Sequence, residues 1–209
     1  MRLVVFGASG ATGQEIVRQA LELGHEVTAV VRDPKKLAVS NSRLHTAQCD
    51  VLQDQASLAT AIATGEAFIS ALGVGNSLIS RGLIARSMAA IVAVAEKQTG
   101  RRFILISAFG VGDSHRQAPV IPRILYRLLL ADIYHDKKAG EDILSHSGLD
   151  WTIIQPVMLT NGPRTGTYRV GERLSLKGIP KVSRADVAHF AVAQLTDSSF
   201  LRKIVVISN

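Results

Sequence analysis

The stretch GASGATGQ, from Gly7 to Gln14, has the composition of a phosphate-binding loop. Its glycines at Gly7, Gly10 and Gly13 separate the apolar run LVVF from a segment with helical apolar spacing. Glycine lets a ligand approach the main chain closely, and the first turn of a helix offers N–H groups to an anion. Because strand, turn and helix follow in the order that this mechanism requires, the loop predicts binding of the phosphates of a dinucleotide.

The end of the second apolar run, VVRDPKKL, indicates which dinucleotide this would be. An acidic residue at this place binds the ribose 2′-hydroxyl of NAD, whereas cations neutralise the 2′-phosphate of NADP. Arg32 follows the run directly, and Lys35 and Lys36 come within one turn. Strand alternation directs Asp33 away from Arg32. We therefore expect NADPH rather than NADH; a 2′-hydroxyl contact from Asp33 and a solvated surface turn are the alternatives.

Two further segments follow strand-like runs and are candidates for the cofactor site. Asp50 in CDVLQD comes after the segment 44–48, where its carboxylate would receive the adenine amino group or cap a helix. Gly73 and Gly75 in SALGVGNS follow the next strand. They would let the main chain pass close to the cofactor, or they are loop glycines without a ligand.

Candidate groups for hydride-transfer chemistry come later in the chain. Ser107 ends the run FILIS, at the carboxyl end of a central strand, where open α/β sheets place their ligands. Tyr134 and Lys138 are four residues apart on one helical face, as a proton donor and its partner would be, although a partly buried helix tyrosine is the alternative. The pattern places Glu141 and Asp142 of the same helix in solvent.

The elements that must position these groups alternate along the chain. Short apolar runs, typical of strands buried on both faces of a sheet, occur at 3–6, 27–31, 67–72, 103–106, 151–154 and 204–207. Helical apolar spacing occurs between them at 12–23, 54–63, 78–98, 121–148 and 183–195. This order predicts a single α/β domain over residues 1–209, a doubly wound Rossmann-type parallel sheet with helices on both faces. Loops at about 108–122 and 156–182 would border an acceptor pocket, the second with a hairpin near GTYRVGERLSL.

Composition narrows the class of protein. The formal net charge is +7, but the cations are scattered and no nucleic-acid-binding motif is present, so an anionic small ligand is the better interpretation. Cys49 is the one cysteine, which fits a reducing compartment, and the six histidines lack metal-ligand spacing. No apolar run reaches the roughly 18 residues of a membrane span. We expect a soluble, cytoplasmic monomer without a signal peptide, a metal or a nucleic-acid partner.

Beyond the glycine loop, the segments VRDPKKL, CDVLQD, ISALG, ISAFG, SGLDWTIIQP, RTGTYRV and SRADVAHF resemble the atypical short-chain dehydrogenase/reductases in identity and order. The resemblance spans residues 1 to about 195 and points most closely to the biliverdin-IXβ reductase and NADPH-dependent flavin reductase group. It implies that NADPH, the cofactor, gives a hydride to a flavin (FMN or riboflavin) or a biliverdin-type tetrapyrrole, a small planar acceptor held in an open pocket.

The resemblance also implies roles for individual residues. The positions that match the cofactor site are Gly7, Ser9, Gly10, Ala11, Thr12 and Gly13 for the phosphates, Arg32 and Lys36 for the 2′-phosphate, Asp50 and Val51 near adenine, and Ser107 and Pro156 beside the nicotinamide. Phe109 and Met158 would border the acceptor. Arg123 lies in IPRILYRLLL, which mixes cations with apolar residues and would either cover the acceptor or form an amphipathic helix packed on the core. Met158 stands where biliverdin-IXβ reductases carry a histidine, so a mechanism through a pocket imidazole is in doubt here.

A second class of function uses the same fold without catalysis. An NADP-binding redox sensor or assembly factor would keep the cofactor loop and need no acceptor chemistry. The short chain, which has no long tail, favours the enzyme. A sugar-nucleotide epimerase is disfavoured, because residues 156–182 are too few for the substrate domain such enzymes carry.

Overall fold

The apolar runs of the sequence form one large sheet in the computed structural model, which describes residues 1–75, 77, 79–98, 102–117 and 130–209. The strands are β1 (Arg2–Phe6), β2 (Glu26–Val31), β3 (Leu44–Gln48), β4 (Ala67–Ser70), β5 (Arg102–Ile106), β6 (Asp150–Pro156), β7 (Met158–Thr160), β8 (Arg169–Gly171), β9 (Lys181–Ser183) and β10 (Lys203–Ser208). The order β3-β2-β1-β4-β5-β6-β10 is parallel, and β8 joins β10 antiparallel. The predicted doubly wound fold is confirmed.

Helices cover both faces of the sheet. Those of the described residues are α1 (Ala11–Glu22), α2 (Gln55–Ala63), α3 (Leu83–Ala95), α4 (Ala131–Ser145) and α5 (Arg184–Ala193), with 3₁₀ turns at Pro34–Lys36 and Gly112–Gln117. Helix α1 packs with α5 on one face, and α3 packs with α2 and α4 on the other. None of these helices has the length and apolar character that crossing a membrane requires.

Strand β1 shows how the alternation of side chains builds two cores. Leu3 and Val5 are buried with residues of α1 and α5, whereas Val4 and Phe6 are buried with residues of α2, α3 and α4. Successive side chains of a strand point to opposite faces, so a continuous apolar run fills both layers. The strand order reverses between β1 and β4, and ligands of such sheets bind in the crevice at this reversal, outside the carboxyl ends of the strands.

The hairpin predicted near GTYRVGERLSL is wrong. Strand β8 from this segment pairs antiparallel with the end of β10, where Val170 lies opposite Ile207. Strands β7 and β9 pair with each other in a separate parallel ladder. The physical reason is that the outer edge of β10 offers main-chain groups to pair, and Val170 packs there against the core beneath α1 and α5.

Candidate functional site

Close packing of the loop between β1 and α1 requires glycine at two positions. Gly7 has a φ of +72°, and a Cβ built on it would lie 2.7 Å from the carbonyl oxygen of Ala71. A Cβ on Gly13 would lie 2.1 Å from the carbonyl oxygen of Gly7, far inside van der Waals contact. Glycine at both positions therefore lets α1 begin directly against the crevice between β1 and β4.

The first turn of α1 is open to an anion. Its N-cap is Gly10, no side chain of the described residues caps it, and the turn contains no acidic residue. The predicted phosphate ligands at this turn are at least partly exposed: Ser9, Gly10, Ala11 and Thr12. The Gln14 amide donates to the carbonyls of Ser9, at 3.1 Å, and Lys36, at 3.4 Å. This contact ties the glycine loop to the end of the second strand, so both predicted phosphate sites lie together.

The end of β2 separates Arg32 from Asp33. The Asp33 carboxylate accepts a hydrogen bond from the Lys35 main-chain N–H at 3.1 Å and caps the 3₁₀ turn at Pro34–Lys36. Arg32 and Lys36 are exposed. With its carboxylate engaged by the main chain, Asp33 is a weaker candidate for a ribose 2′-hydroxyl than the sequence alone allows.

Asp50 and Arg32 line one depression beside the end of β3, together with Gln48, Cys49 and Asp54. The helix-cap alternative for Asp50 is wrong for α2, because Asp54 accepts from the Ser57 N–H there at 2.9 Å. Asp50 instead accepts from the Leu52 N–H at 2.9 Å and fixes the turn after β3. Val51 is buried beneath this turn in the core.

Gly73 lies at the carboxyl end of β4, and the protein itself does not require glycine there. A Cβ on Gly73 would meet nothing within 4 Å, and the residue is exposed. The same space is open at Gly75, which has a φ of +62°. The space beside these residues fits the close passage of a ligand along the main chain.

Ser107 and Pro156 lie next to each other at the ends of β5 and β6. The Ser107 N–H donates to the carbonyl of Ile154 at 2.8 Å, and the Phe109 N–H donates to that of Pro156 at 2.9 Å. Ser107 is only 7% exposed, and its hydroxyl has no hydrogen bond of ordinary geometry to the described residues. A buried hydroxyl without a partner is costly in a folded protein and is typical of a group that serves a ligand.

Tyr134 and Lys138 contact the loop after β5 and not the Ser107 hydroxyl. The Tyr134 hydroxyl donates to the carbonyl of Phe109 at 3.3 Å. Lys138 pairs with Asp142 at the surface, where both side chains are about half exposed. The two residues therefore share a helical face, as the spacing predicts, but they do not form a donor pair with Ser107.

The expectation that Glu141 is solvated is wrong. This residue is 1% exposed and accepts a hydrogen bond from the Gln155 amide at 2.8 Å. Burial raises the pKa of the Glu141 carboxyl, although the neighbouring Ser107 hydroxyl, Gln155 and Lys137 oppose the shift. Burial also lowers the pKa of Lys137 to about 8, against the attraction of Glu141 and Asp136. Glu141 and Lys137 are thus the functional candidates that the sequence reasoning missed.

Helix α4 is held in one orientation by its contacts with α3. The buried Asp136 carboxylate accepts from the main-chain N–H groups of Ile84 and Ala85, each at 2.8 Å, and from the Ser80 hydroxyl. A Cβ on Gly140 would lie 3.3 Å from the side chain of Ile84, so glycine allows close packing of the two helices. This packing turns the Glu141 face of α4 toward the sheet. The small and apolar residues at 140 and 144 are the signal in the sequence for that buried face.

Two of the three acceptor residues predicted from the sequence lie within the part of the chain that the structure describes. Phe109 is partly buried beside Ser107, and Met158 in β7 is 44% exposed. Ile79, which follows β4, is 57% exposed. Arg123 lies outside the described residues. Exposed apolar side chains after β4 and β6, on either side of the strand that carries Ser107, are suited to contact an apolar planar molecule.

Known proteins are similar to this chain over most of its length. A family model described as NAD(P)H-binding matches residues 7–198. The chain is similar to the photosystem II assembly factor Ycf39 of Synechocystis, with 26% identity over 97% of this chain and 61% of that protein.

Two solved structures share the fold over almost the whole chain. One is ChuY, an anaerobillin reductase from Escherichia coli, with a TM-score of 0.82 and 23% identity over 99% of this chain and 96% of ChuY. The other is a short-chain dehydrogenase/reductase of the wide type from Veillonella parvula in complex with NADP. Its TM-score is also 0.82, with 20% identity over 100% of this chain and 94% of that one. The phosphate-binding loop predicted from GASGATGQ thus lies in a chain that matches an NAD(P)H-binding family.

Proposed function

Because the chain belongs to the NAD(P)H-binding family, we propose that it is an oxidoreductase that uses NADPH to reduce a flavin or a biliverdin-type tetrapyrrole. The observation that carries the proposal is the buried Ser107 hydroxyl, unpaired among the described residues, at the same sheet edge as the open glycine loop. At the end of β5 this hydroxyl stands where a ligand at the sheet edge would form a hydrogen bond with it.

The residues at the sheet edge fit a dinucleotide. The main-chain N–H groups of the first turn of α1 would bind the phosphates, Asp50 would receive the adenine amino group, and Ser107 and Pro156 would border the nicotinamide. When bound, the cofactor supplies the hydride, and the protein supplies orientation and a partly dehydrated environment.

NADPH is favoured over NADH by the cations after β2. Arg32 and Lys36 are exposed near the glycine loop, and neither makes an ion pair with a described residue. One oxygen of the competing Asp33 carboxylate accepts a hydrogen bond from the Lys35 main-chain N–H, which holds that side chain on the 3₁₀ turn. The NADP complex of the structurally similar Veillonella parvula protein supports the same assignment.

The residues that follow β4, β5 and β6 favour an apolar, planar acceptor. Met158 and Ile79 are exposed apolar residues that follow β6 and β4, the strands on either side of β5, and Phe109 follows β5. A planar, conjugated molecule buries its faces on such side chains and keeps its charged groups in solvent. The reductase ChuY, which shares this fold, supports a tetrapyrrole, and the sequence segments that resemble the flavin reductase group support a flavin.

The test is to measure initial rates of NADPH oxidation with FMN and with biliverdin as separate acceptors, and to repeat both with NADH. We expect saturable reduction of at least one acceptor, with a higher kcat/KM for NADPH than for NADH. The Ser107→Ala variant should bind NADPH normally and turn over more slowly. Wild-type protein that binds NADPH tightly but reduces neither acceptor would contradict the proposal.

That outcome would favour the second candidate, a non-catalytic NADP-binding assembly factor. The similarity to Ycf39 is the observation that supports it. The two candidates also differ in the fate of the bound NADPH: an enzyme releases NADP⁺ in proportion to acceptor reduced, whereas an assembly factor retains the bound dinucleotide unchanged.

A further inference from the structure

Three buried polar atoms lie on adjoining elements at the carboxyl end of the sheet, namely α4 and the ends of β5 and β6. They are the Ser107 hydroxyl oxygen, one carboxyl oxygen of Glu141 and the amide oxygen of Gln155, and none has a hydrogen-bond partner among the described residues. Leaving a buried polar group unsatisfied costs about 1–3 kcal/mol, so three such atoms together need a physical reason.

Gln155 fixes the position of the Glu141 carboxyl. Its amide nitrogen donates to Glu141 Oε1 at 2.8 Å and to the carbonyl of Val111 at 3.2 Å. The Ser107 hydroxyl lies beside the same carboxyl. If Glu141 is a carboxylic acid, its O–H has an acceptor at hand in the Ser107 oxygen. That bond leaves the serine O–H free to donate toward a ligand at the sheet edge.

Two effects act in opposite directions on Glu141: its burial favours the carboxylic acid, and the groups around it favour the carboxylate. Lys137 and Lys138 approach it from its own helix, and Ser107 and Gln155 approach from β5 and β6. Lys138 is paired with Asp142, and Lys137 forms no ion pair with Glu141. Burial opposes charge on both partners, since the pKa of Glu141 is raised and that of Lys137 is lowered to about 8.

We propose that Glu141 is the proton source of the reaction and passes its proton through the Ser107 hydroxyl to the reduced acceptor. This inference rests on the proposed reductase function. A bound NADPH would supply the acceptor with a hydride, that is, two electrons and one hydrogen, and would become NADP⁺. The Ser107 O–H bond breaks as its proton bonds to the acceptor atom that carries the new electron pair. The Glu141 O–H then restores the serine, and a proton from solvent restores the acid.

The decisive variant is Glu141→Gln, which keeps the shape of the side chain but has no acidic proton. We expect kcat to fall about a hundredfold, as it does when a general acid is lost, and NADPH affinity to stay within about threefold of that of the wild type. The wild-type kcat should fall as pH rises through the raised pKa of Glu141, whereas Glu141→Gln should lose this limb of the profile. The matched control is Asp142→Asn on the exposed face of the same helix. This variant should keep both the wild-type kcat and the pH-dependent limb of the profile.

A second measurement needs neither cofactor nor turnover. Infrared spectra of the free protein, recorded across a pH titration, should show a protonated-carboxyl band that persists to higher pH than the bands of exposed carboxyls, because burial raises the pKa of Glu141. That band should be absent from Glu141→Gln and present in Asp142→Asn. Its absence from wild type would overturn the inference, whatever the acceptor proves to be.

The remaining outcomes separate the proton-transfer inference from the proposed reductase function. A fall in kcat that leaves the pH profile unchanged would show that Glu141 serves packing alone and would overturn the inference. If Glu141→Gln does not fold, Ser107→Ala interrupts the same path and should flatten the profile while keeping the infrared band. A wild type that reduces no acceptor refutes the proposed function and with it the proton transfer. An active wild type with an unaffected Glu141→Gln refutes the transfer alone.

Discussion

The two ends of the site are built in different ways. At the cofactor end, formed by β1, α1 and the segment after β2, the working groups are main-chain N–H groups and exposed cations. At the acceptor end, formed by β5, β6 and α4, they are buried side chains from three separate elements: Ser107, Gln155 and Glu141. The first end depends on local backbone geometry, and the second depends on how α4 is packed.

This difference has an energetic consequence. Main-chain N–H groups at a helix start stay in contact with water until a ligand arrives, so leaving them uncapped costs little. Buried and incompletely paired polar groups destabilise the fold, and other contacts must offset them. The contacts of Asp136 with α3 and the close packing at Gly140 do this for α4. Mutations at the two ends should therefore separate cofactor binding from acceptor chemistry.

The largest effect is expected from Gly13→Ala. The added methyl would overlap the Gly7 carbonyl oxygen, so α1 must move away from the loop. Overpacking of this kind costs about 3 kcal/mol or more of unfolding free energy, and NADPH affinity should fall about a hundredfold as the N–H groups are displaced. Denaturant unfolding and fluorescence titration with NADPH measure the two effects. Gly73→Ala is the stability control, because its methyl meets open space; equal unfolding curves for the two variants would refute the packing argument.

At the acceptor end, Asp136→Ala should destabilise the protein by about 3 kcal/mol, because two buried N–H groups at the start of α3 lose their acceptor. At a temperature where the variant is folded, kcat should fall while NADPH affinity is kept, since α4 is less firmly held. Asp132→Ala, which removes an exposed carboxylate from the same helix, should cost about 1 kcal/mol. A parallel loss of NADPH affinity in Asp136→Ala would show that the two ends are not separable.

Arg32→Ala tests the nucleotide preference of the cofactor end. A charge-assisted hydrogen bond contributes about 1.5–3 kcal/mol, so NADPH affinity should fall ten- to a hundredfold, and NADH affinity should stay the same. Asp33→Ala is the matched neighbour: it removes a cap from the 3₁₀ turn and should leave the ratio of the two affinities within about threefold. Titration of both nucleotides into both variants measures this, and equal losses for NADPH and NADH in Arg32→Ala would contradict the assignment.

The same difference explains how much of the molecule could be predicted from its sequence. The spacing of Gly7, Gly10 and Gly13 and the position of Arg32 are local patterns, and the strand–loop–helix that they require is present. The burial of Glu141 is only weakly marked in the local pattern: Gly140 and Leu144 belong to the buried face, but contacts with distant residues fix the rotation of the helix. That rotation is set by Asp136 meeting the start of α3, a contact between residues more than fifty positions apart. The pairing of β8 with β10 also joins distant segments, and the local pattern predicted a hairpin in its place.

The smallest effect is expected from Tyr134→Phe, and it sharpens the assignment of the proton source. The Tyr134 hydroxyl donates to the carbonyl of Phe109 at 3.3 Å, and its ring packs over Gly110. Removing the hydroxyl should cost about 1 kcal/mol or less of unfolding free energy, and kcat should stay within about threefold. Steady-state rates across the pH range should keep the acid-dependent limb that Glu141→Gln loses. Loss of turnover with intact NADPH binding would instead make Tyr134 the proton donor, as its spacing from Lys138 suggests, and would leave the Glu141 carboxyl with a structural role.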